Sequence, residues 1–152
     1  MIKLTTLLKE SILEAKQVGT IYHFTNDLEK ILQTNTLKAT SVKSSSIPLS
    51  TVSFTRTPHR TFDIARYSDS VLVVDGDKLS NNYKISPFKD PKVDWEDEME
   101  ERIFSDIPNI DQYIIKVILF KDEFDEDVIP LLKEKNIPYE IKPVRVYFNN
   151  ED

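Results

Sequence analysis

A histidine and a threonine stand two residues apart near the start of the chain, in the β-prone run Tyr22-His23-Phe24-Thr25. The alternation of a strand puts His23 and Thr25 on one face and the two aromatic rings on the other. A histidine and a threonine at the end of a strand can together hydrogen-bond a ribose hydroxyl or an amide, and nearby aromatic rings can stack on a flat ligand. A histidine whose hydrogen bonds are satisfied inside the fold is the alternative interpretation.

An arginine ends a second candidate strand, Val52-Ser53-Phe54-Thr55-Arg56, directly before a Pro-His turn. The guanidinium offers several N–H donors in one plane, so Arg56 can bind a phosphate or a carboxylate through two parallel hydrogen bonds. His59 and Arg60 could extend such an anion site. An exposed structural arginine explains the segment equally well.

Carboxylates are concentrated before and within a third candidate strand, Glu98 to Phe104. On a strand, Glu101 and Ile103 share one face while Glu100 and Arg102 share the other, so one glutamate could face a cleft. A solvated acidic surface is the alternative. It fits Glu101 least, because this residue leads directly into an apolar run.

Hydrophobic periodicity and turn signals predict the elements that must position these residues. One expected helix starts at a capping box of Asn26 and Glu29. The other expected helices cover Lys3 to Lys16, Arg60 to Tyr67, Asp77 to Asn81 and Val128 to Asn136. Expected strands cover Thr20 to Thr25, Thr51 to Thr55, Ser70 to Val74, Glu98 to Phe104, Tyr113 to Phe120 and Tyr139 to Phe148. Expected loops and turns are Lys38 to Ser50, Asp75-Gly76-Asp77 and Tyr83 to Trp95. This mixture predicts an α+β fold in which residues 1–152 form a single domain, with an N-terminal amphipathic helix at 1–17 and a core at 20–148.

The composition limits the classes of protein to which the chain can belong. Its 152 residues, 39% hydrophobic and 30% charged, favour one globular domain. The absence of cysteine excludes disulfides, thiolate nucleophiles and cysteine-ligated zinc, and we expect no metal. The two glycines, Gly19 and Gly76, do not cluster, which excludes a P-loop and a Rossmann fingerprint. The N-terminal residues lack a signal segment and no stretch is apolar enough to span a membrane, so we expect a cytoplasmic protein.

The charge is unevenly distributed along the chain. The net charge of −6 opposes nonspecific attraction to nucleic acid, yet residues 38–66 carry five Lys or Arg residues and no acid before Asp63. This asymmetry favours a basic cleft for an anionic ligand. Ordinary solvated loops are the alternative.

The three segments, taken in this order, resemble ADP-ribosyltransferases of the DarT type. The first is similar to the aromatic-His-x-Thr strand and helix that open that family, with the matching residues Ile21 to Thr25, Leu28, Ile31, Leu32 and Leu37. The second, Ser53 to Pro58, resembles the family's strand that ends in a functional arginine. The third resembles its catalytic glutamate strand, with the matching residues Glu101 to Phe104, Ile107, Pro108 and Ile114. The likeness spans Ile21 to about Ile118, and small phage-encoded proteins share it.

The resemblance implies a split, bent β-sheet with flanking helices around an NAD cleft. The implied cofactor-binding residues are Tyr22, His23, Thr25, Ser53, Phe54 and Tyr67. Glu101, with Glu100 as the fallback, would hydrogen-bond the ribose hydroxyl and stabilise the oxocarbenium-like transition state that forms as nicotinamide leaves. Arg56 would pair with the pyrophosphate or orient the acceptor.

The expected function is therefore mono-ADP-ribosyl transfer from NAD to a macromolecular acceptor, in the host cytoplasm if the protein is viral. The chain is shorter than the DNA-modifying members of the family and is acidic, so the acceptor stays open. A protein side chain, a nucleic acid base, a small molecule or water would each satisfy the site. We expect no membrane partner.

Two other functions stay open from the residues alone. A non-catalytic binding, inhibitor or virion-associated module could keep the same fold and dock through the leucine face of its N-terminal helix, Leu4, Leu8 and Ile12. A metal-independent nuclease could use His23, His59 and Arg56 for acid-base chemistry, but it leaves the carboxylate strand without a role.

Overall fold

The computed structural model describes residues 18–41, 50–56, 58, 68–87 and 100–144. The strands in this part of the chain are β1 (Thr20–Thr25), β2 (Thr36–Leu37), β3 (Thr40–Ser41), β4 (Ser50–Thr55), β5 (Ser70–Asp75), β6 (Ser86–Pro87), β7 (Glu100–Ile103), β8 (Ile107–Pro108), β9 (Ile114–Phe120) and β10 (Tyr139–Lys142). The helices are α1 (Leu28–Thr34), α2 (Gly76–Ser80), a 3-10 helix (Ile110–Tyr113) and α3 (Val128–Glu134). The predicted α+β class is confirmed.

Eight of the strands form one sheet in the order β10-β9-β5-β1-β4-β7-β6, with β3 paired to β4. All pairs are antiparallel except β9 with β10, which are parallel and are connected through α3. A separate antiparallel ladder joins β2 to β8. The first strand therefore lies in the middle of the sheet, where its side chains can reach both neighbours.

The two faces of the sheet carry separate apolar clusters, as the alternation of strand side chains requires. Leu72 and Val74 of β5 pack into the main core with residues of α1, α2 and α3. Val71 and Val73 pack on the opposite face with Ile118 and Phe120. α1, α2 and α3 thus cover one face of the sheet.

The sheet opens between β1 and β4. β1 pairs with β5 at six positions, from Thr20 to Thr25. With β4 it pairs at one position only, Tyr22 opposite Thr55. Beyond this point the two strands diverge, and a space forms between the end of β1 and the beginning of β4.

Several local predictions were wrong in instructive ways. Asn26 and Glu29 do not form a capping box, because the N-cap of α1 is Asp27 and the Asn26 amide oxygen accepts from the backbone N–H of Asp69. The predicted turn at residues 75–77 is the start of α2, where the Asp75 side chain accepts from the backbone N–H of Lys78. For Asn26, a tertiary partner replaced the local hydrogen bond that the sequence suggested, whereas Asp75 makes the local N-cap bond of a helix.

Two predicted loops contain strand pairing. Thr40 and Ser41 pair with β4 inside the segment predicted as loop. Ser86 and Pro87 pair with β7, and the adjacent Ile85 is buried. Short strands of two residues carry too little hydrophobic pattern for periodicity to reveal them.

Other element ends moved by a few residues. Tyr113 belongs to the 3-10 helix rather than to β9, and the last strand ends at Lys142, directly before Pro143, which cannot donate to a sheet ladder. α3 ends at Glu134 instead of Asn136, which is left-handed with a φ of 56°. The predicted helices Lys3 to Lys16 and Arg60 to Tyr67 lie outside the described residues.

Candidate active site

A cavity of about 390 Å³ lies where the sheet opens between β1 and β4. One wall is the end of β1 and another is the beginning of β4. The remaining walls are α1 and the segment from β2 to β3. Its described lining residues are His23, Thr25, Asp27, Lys30, Ile31, Thr34, Thr36, Leu37, Lys38, Ala39, Thr40, Thr51, Val52 and Ser53. Its volume is within the range typical of small-molecule sites.

His23 bridges the opening of the sheet. Its Nδ1 lies 2.8 Å from the backbone carbonyl oxygen of Ser53 on β4. A carbonyl can only accept, so Nδ1 carries the hydrogen, and Nε2 of the neutral ring is left as an acceptor. Burial lowers the pKa of His23 below its ordinary value, and the hydrogen bond to Ser53 only partly opposes this shift. The ring is therefore neutral at pH 7.

Thr25 joins β1 to α1. Its hydroxyl oxygen accepts from the backbone N–H of Asp27 at 2.9 Å, and its carbonyl accepts from the backbone N–H of Asp69. The hydroxyl proton of Thr25 stays available to an acceptor in the cavity. The residue thus has a structural role in addition to lining the cavity.

Arg56 and Glu101 form a charge pair one strand away from the cavity. Nε of Arg56 lies 3.0 Å from Oε1 of Glu101, whose side chain is only 3% exposed. The two groups are too poorly aligned for a hydrogen bond, and neither atom has another hydrogen-bond partner in the described part of the chain. Burial raises the pKa of Glu101 above its ordinary value, and the Arg56 guanidinium only partly opposes the rise.

Phe54 connects the charge pair to the cavity. It is the register partner of Glu101 on β4 and β7, and its ring centroid lies 5.6 Å from that of His23. Phe54 is buried in the main core, so its position favours packing between the two groups rather than an open stacking surface. Glu101 and Arg56 themselves are not among the residues that line the cavity.

The structure brings some predicted site residues together and separates others. His23, Thr25 and Ser53 line the same cavity. Tyr22 and Phe24 pack against the apolar cluster on the opposite face of the sheet, and Tyr22 is not among the described residues that line the cavity. Tyr67 and His59 lie outside the described residues. Glu100 is placed opposite Thr55 in the ladder of β4 and β7.

Sequence reasoning missed the contribution of α1 to the cavity. Asp27, Lys30, Ile31 and Thr34 are spaced as one stripe of a helix, and all four line it. The signal was present in the spacing. Ile31 is also one of the buried apolar residues of α1, so hydrophobic periodicity by itself does not separate cavity lining from core.

A group of carboxylates lies on the far side of α1. Oxygens of Glu29, Asp125 and Asp127 lie within 4.8 Å of one another. Burial is the largest cause that raises the pKa of the nearby Asp69, and the charges of Asp27 and Asp125 add to it. Exposed acidic groups of this kind are common on protein surfaces, and we assign no ligand to this one.

No helix among the described residues has the length and apolar character needed to cross a membrane.

No protein-family model matches the sequence, and a search of curated proteins finds no match. The site is therefore interpreted from its own geometry.

Proposed function

We propose that this protein is an NAD-dependent mono-ADP-ribosyltransferase that cleaves the nicotinamide-ribose bond and transfers ADP-ribose to a macromolecular acceptor. The observation that carries the proposal is a buried glutamate of raised pKa, Glu101, next to an arginine and one strand away from a cavity that His23 lines. These groups follow one another along the chain in the same order as in the ADP-ribosyltransferases of the DarT type, which the sequence resembles. A cytoplasmic setting is part of the proposal.

His23 and Thr25 would position the ligand in the cavity. The neutral His23 ring offers Nε2 as an acceptor for a ribose hydroxyl or an amide N–H, because Nδ1 already donates to Ser53. The Thr25 hydroxyl can donate to a carbonyl or hydroxyl oxygen while it accepts from Asp27. An acceptor and a donor of fixed direction, two residues apart, suit a ligand that carries both kinds of group.

Glu101 would act on the reacting ribose. NAD supplies a glycosidic bond to a positively charged ring, and the electron pair of this bond leaves with nicotinamide. The acceptor then bonds to the same ribose carbon and releases its proton. A carboxylate beside that carbon stabilises the positive charge that develops there, and low solvent access strengthens the effect. Arg56 lowers the pKa of the carboxylate and so partly opposes the rise that burial causes, and Glu101 would have to turn from Arg56 toward the cavity.

A second candidate function follows from the same geometry. Glu101 is 2% exposed, and it does not line the cavity. This arrangement favours a non-catalytic module that binds a ligand in the cavity without converting it. The two functions differ in whether NAD is consumed.

The test incubates each protein with labelled NAD and host cell extract and measures label transfer and nicotinamide release. The proteins are wild type, Glu101→Gln and, as a matched control, Glu134→Gln, which changes an exposed glutamate of α3. We expect transfer by wild type and Glu134→Gln, and its loss in a folded Glu101→Gln protein. Nicotinamide release alone would indicate an NAD glycohydrolase. Absence of NAD consumption by wild type would overturn the enzyme, and NAD binding without consumption would support the binding module.

A further inference from the structure

We propose that Lys30 and Lys38 form an anion-binding pair at the cavity and that the ligand places a phosphate or pyrophosphate group between them. The inference rests on the proposed function, since it names the part of the substrate that the same cavity holds. It also assigns this group to the α1 side of the cavity, away from Arg56.

The two lysines come from different walls. Lys30 belongs to the stripe of α1 that lines the cavity, and Lys38 follows β2 on the neighbouring wall. Both side chains are exposed at their positions. A phosphate carries more negative charge than a single carboxylate, so it gains more from two cations that line one cavity.

Neither lysine forms an ion pair with another residue in the described part of the chain. In the described ranges, ion pairs join Arg56 to Glu101 and two other lysines to Glu140, but no carboxylate pairs with Lys30 or Lys38. Asp27 is the one carboxylate among the described lining residues, so the two cations outnumber it. In a chain with a net charge of −6, a cavity with this balance favours a small anion locally.

Arg56 is poorly placed for the same task. Its Nε lies against Glu101, and the residue does not line the cavity. In the observed conformation a phosphate at Arg56 would compete with the buried Glu101 carboxylate, whereas a phosphate at the lysines competes with no described ion-pair partner. The lysine pair is therefore the more accessible cationic site.

Hydroxyl groups add donors beside the lysines. Thr40 and Thr51 are register partners on β3 and β4, and both line the cavity. The hydroxyls of Thr34 and Thr36 differ, because they already donate to the backbone carbonyls of Lys30 and Thr34. Thr40 and Thr51 can thus complement the two ammonium groups around a phosphate.

The experiment measures the binding of ADP and of adenosine by calorimetry to the full chain. The variants are the double substitution Lys30→Gln/Lys38→Gln and the control Lys133→Gln, which removes an exposed lysine of α3. We expect wild type to bind ADP more tightly than adenosine. The double variant should weaken ADP binding at least about tenfold and leave adenosine unchanged, because charged hydrogen bonds to phosphate are lost. The ADP affinity of the double variant should also depend less on salt concentration than that of the wild type.

The outcomes separate this inference from the proposed function. Equal binding of ADP and adenosine by wild type, no ADP binding, or a folded double variant that binds ADP as wild type does would overturn it. NAD turnover with an unchanged KM in the double variant would leave the transferase standing without the lysine pair. Lysine-dependent ADP binding without NAD turnover would leave the phosphate site standing without the transferase.

Discussion

Nε of Arg56 lies 3.0 Å from Oε1 of Glu101, and the carboxylate is almost completely buried. The distance is that of a strong ion pair, but the alignment does not make a hydrogen bond. A buried carboxylate in this situation has lost its hydration without full compensation, which is why its pKa is raised. Such a group gains from any new donor that reaches it, including a ribose hydroxyl.

The raised pKa of Glu101 makes the stability of the wild type pH-dependent. Because its pKa is raised, the Glu101 carboxyl group binds a proton more tightly in the folded state than in the unfolded state. Stability is therefore lost as the pH rises from the ordinary glutamate pKa through the raised one. Glu101→Gln has no such proton, so the wild type should lose stability relative to the variant over this interval. Urea unfolding of both proteins across a pH series measures the difference. A relative gain by the wild type as pH rises would mean that the attraction of Arg56 outweighs burial.

Removal of Arg56 should destabilise the protein. Arg56→Gln leaves the Glu101 carboxylate without its nearby charge, so the pKa of Glu101 should rise further. We expect a loss of about 1–3 kcal/mol in the free energy of unfolding, below the value for a fully buried pair because the arginine side chain is 23% exposed. Arg56→Lys should lose less. The double variant Arg56→Gln/Glu101→Gln should be more stable than Arg56→Gln alone, and additive losses in this cycle would rule out coupling.

His23 predicts a second pH dependence with the opposite sign. Its pKa is lowered in the folded state, so stability is present above the ordinary histidine pKa and is lost as pH falls toward the lowered value. His23→Asn keeps a donor for the Ser53 carbonyl and removes the titration, so its stability should change less with pH in this range. Thermal unfolding of wild type and His23→Asn at several pH values measures the effect. Equal slopes for wild type and His23→Asn would contradict the assignment.

Asp106 should support the cavity wall that carries Lys38. Its Oδ1 accepts from the backbone N–H of Ala39 at 2.8 Å, next to the ladder of β2 and β8. Asp106→Ala should cost about 0.5–1.5 kcal/mol of stability and weaken ADP binding a few-fold, because the wall loses this anchor. Asp106→Asn retains an acceptor oxygen and should behave nearly as wild type. Equal ADP affinity in both variants would show that the bond does not position the wall.

The contact between the starts of β1 and α2 should not tolerate a larger residue. Gly76 donates its backbone N–H to the carbonyl of Gly19 at 2.9 Å, and a Cβ on Gly76 would overlap that carbonyl and the Val18 side chain. Gly76→Ala should therefore cost about 1–3 kcal/mol. Gly19→Ala meets no atom but has a φ of +87°, so it should cost about 1 kcal/mol. Urea midpoints at equal m-values compare the two, and a smaller loss for Gly76→Ala would contradict the packing argument.

The sequence was most informative where one strand carries a strong β pattern. The bounds of β1 were predicted without error, and those of β5 and β9 to within one residue. The faces of β1 were also predicted correctly. Tyr22 and Phe24 pack on one side of the sheet, and His23 and Thr25 line the cavity on the other. Alternation is a local property of an extended backbone, so it requires no knowledge of the neighbouring strands.

The sequence was least informative where a short segment depends on distant partners. β3 exists because Thr40 lies opposite Thr51, and Asn26 caps no helix because Asp69 reaches it. Neither relationship has a signature in the nearby residues. Local propensity is a weak guide when a tertiary hydrogen bond is available to the same group.

By itself, the sequence determined the α+β class, the main strands, the orientation of His23 and the absence of glycine-rich phosphate loops. These properties follow from periodicity and composition, which act over a few residues at a time. Only the tertiary structure decided that Glu101 is buried against Arg56 and that Lys30 and Lys38 border the cavity beside His23. The reason is physical, because periodicity reports which face of an element is buried, whereas the partner that covers it depends on strand order and on where the sheet opens.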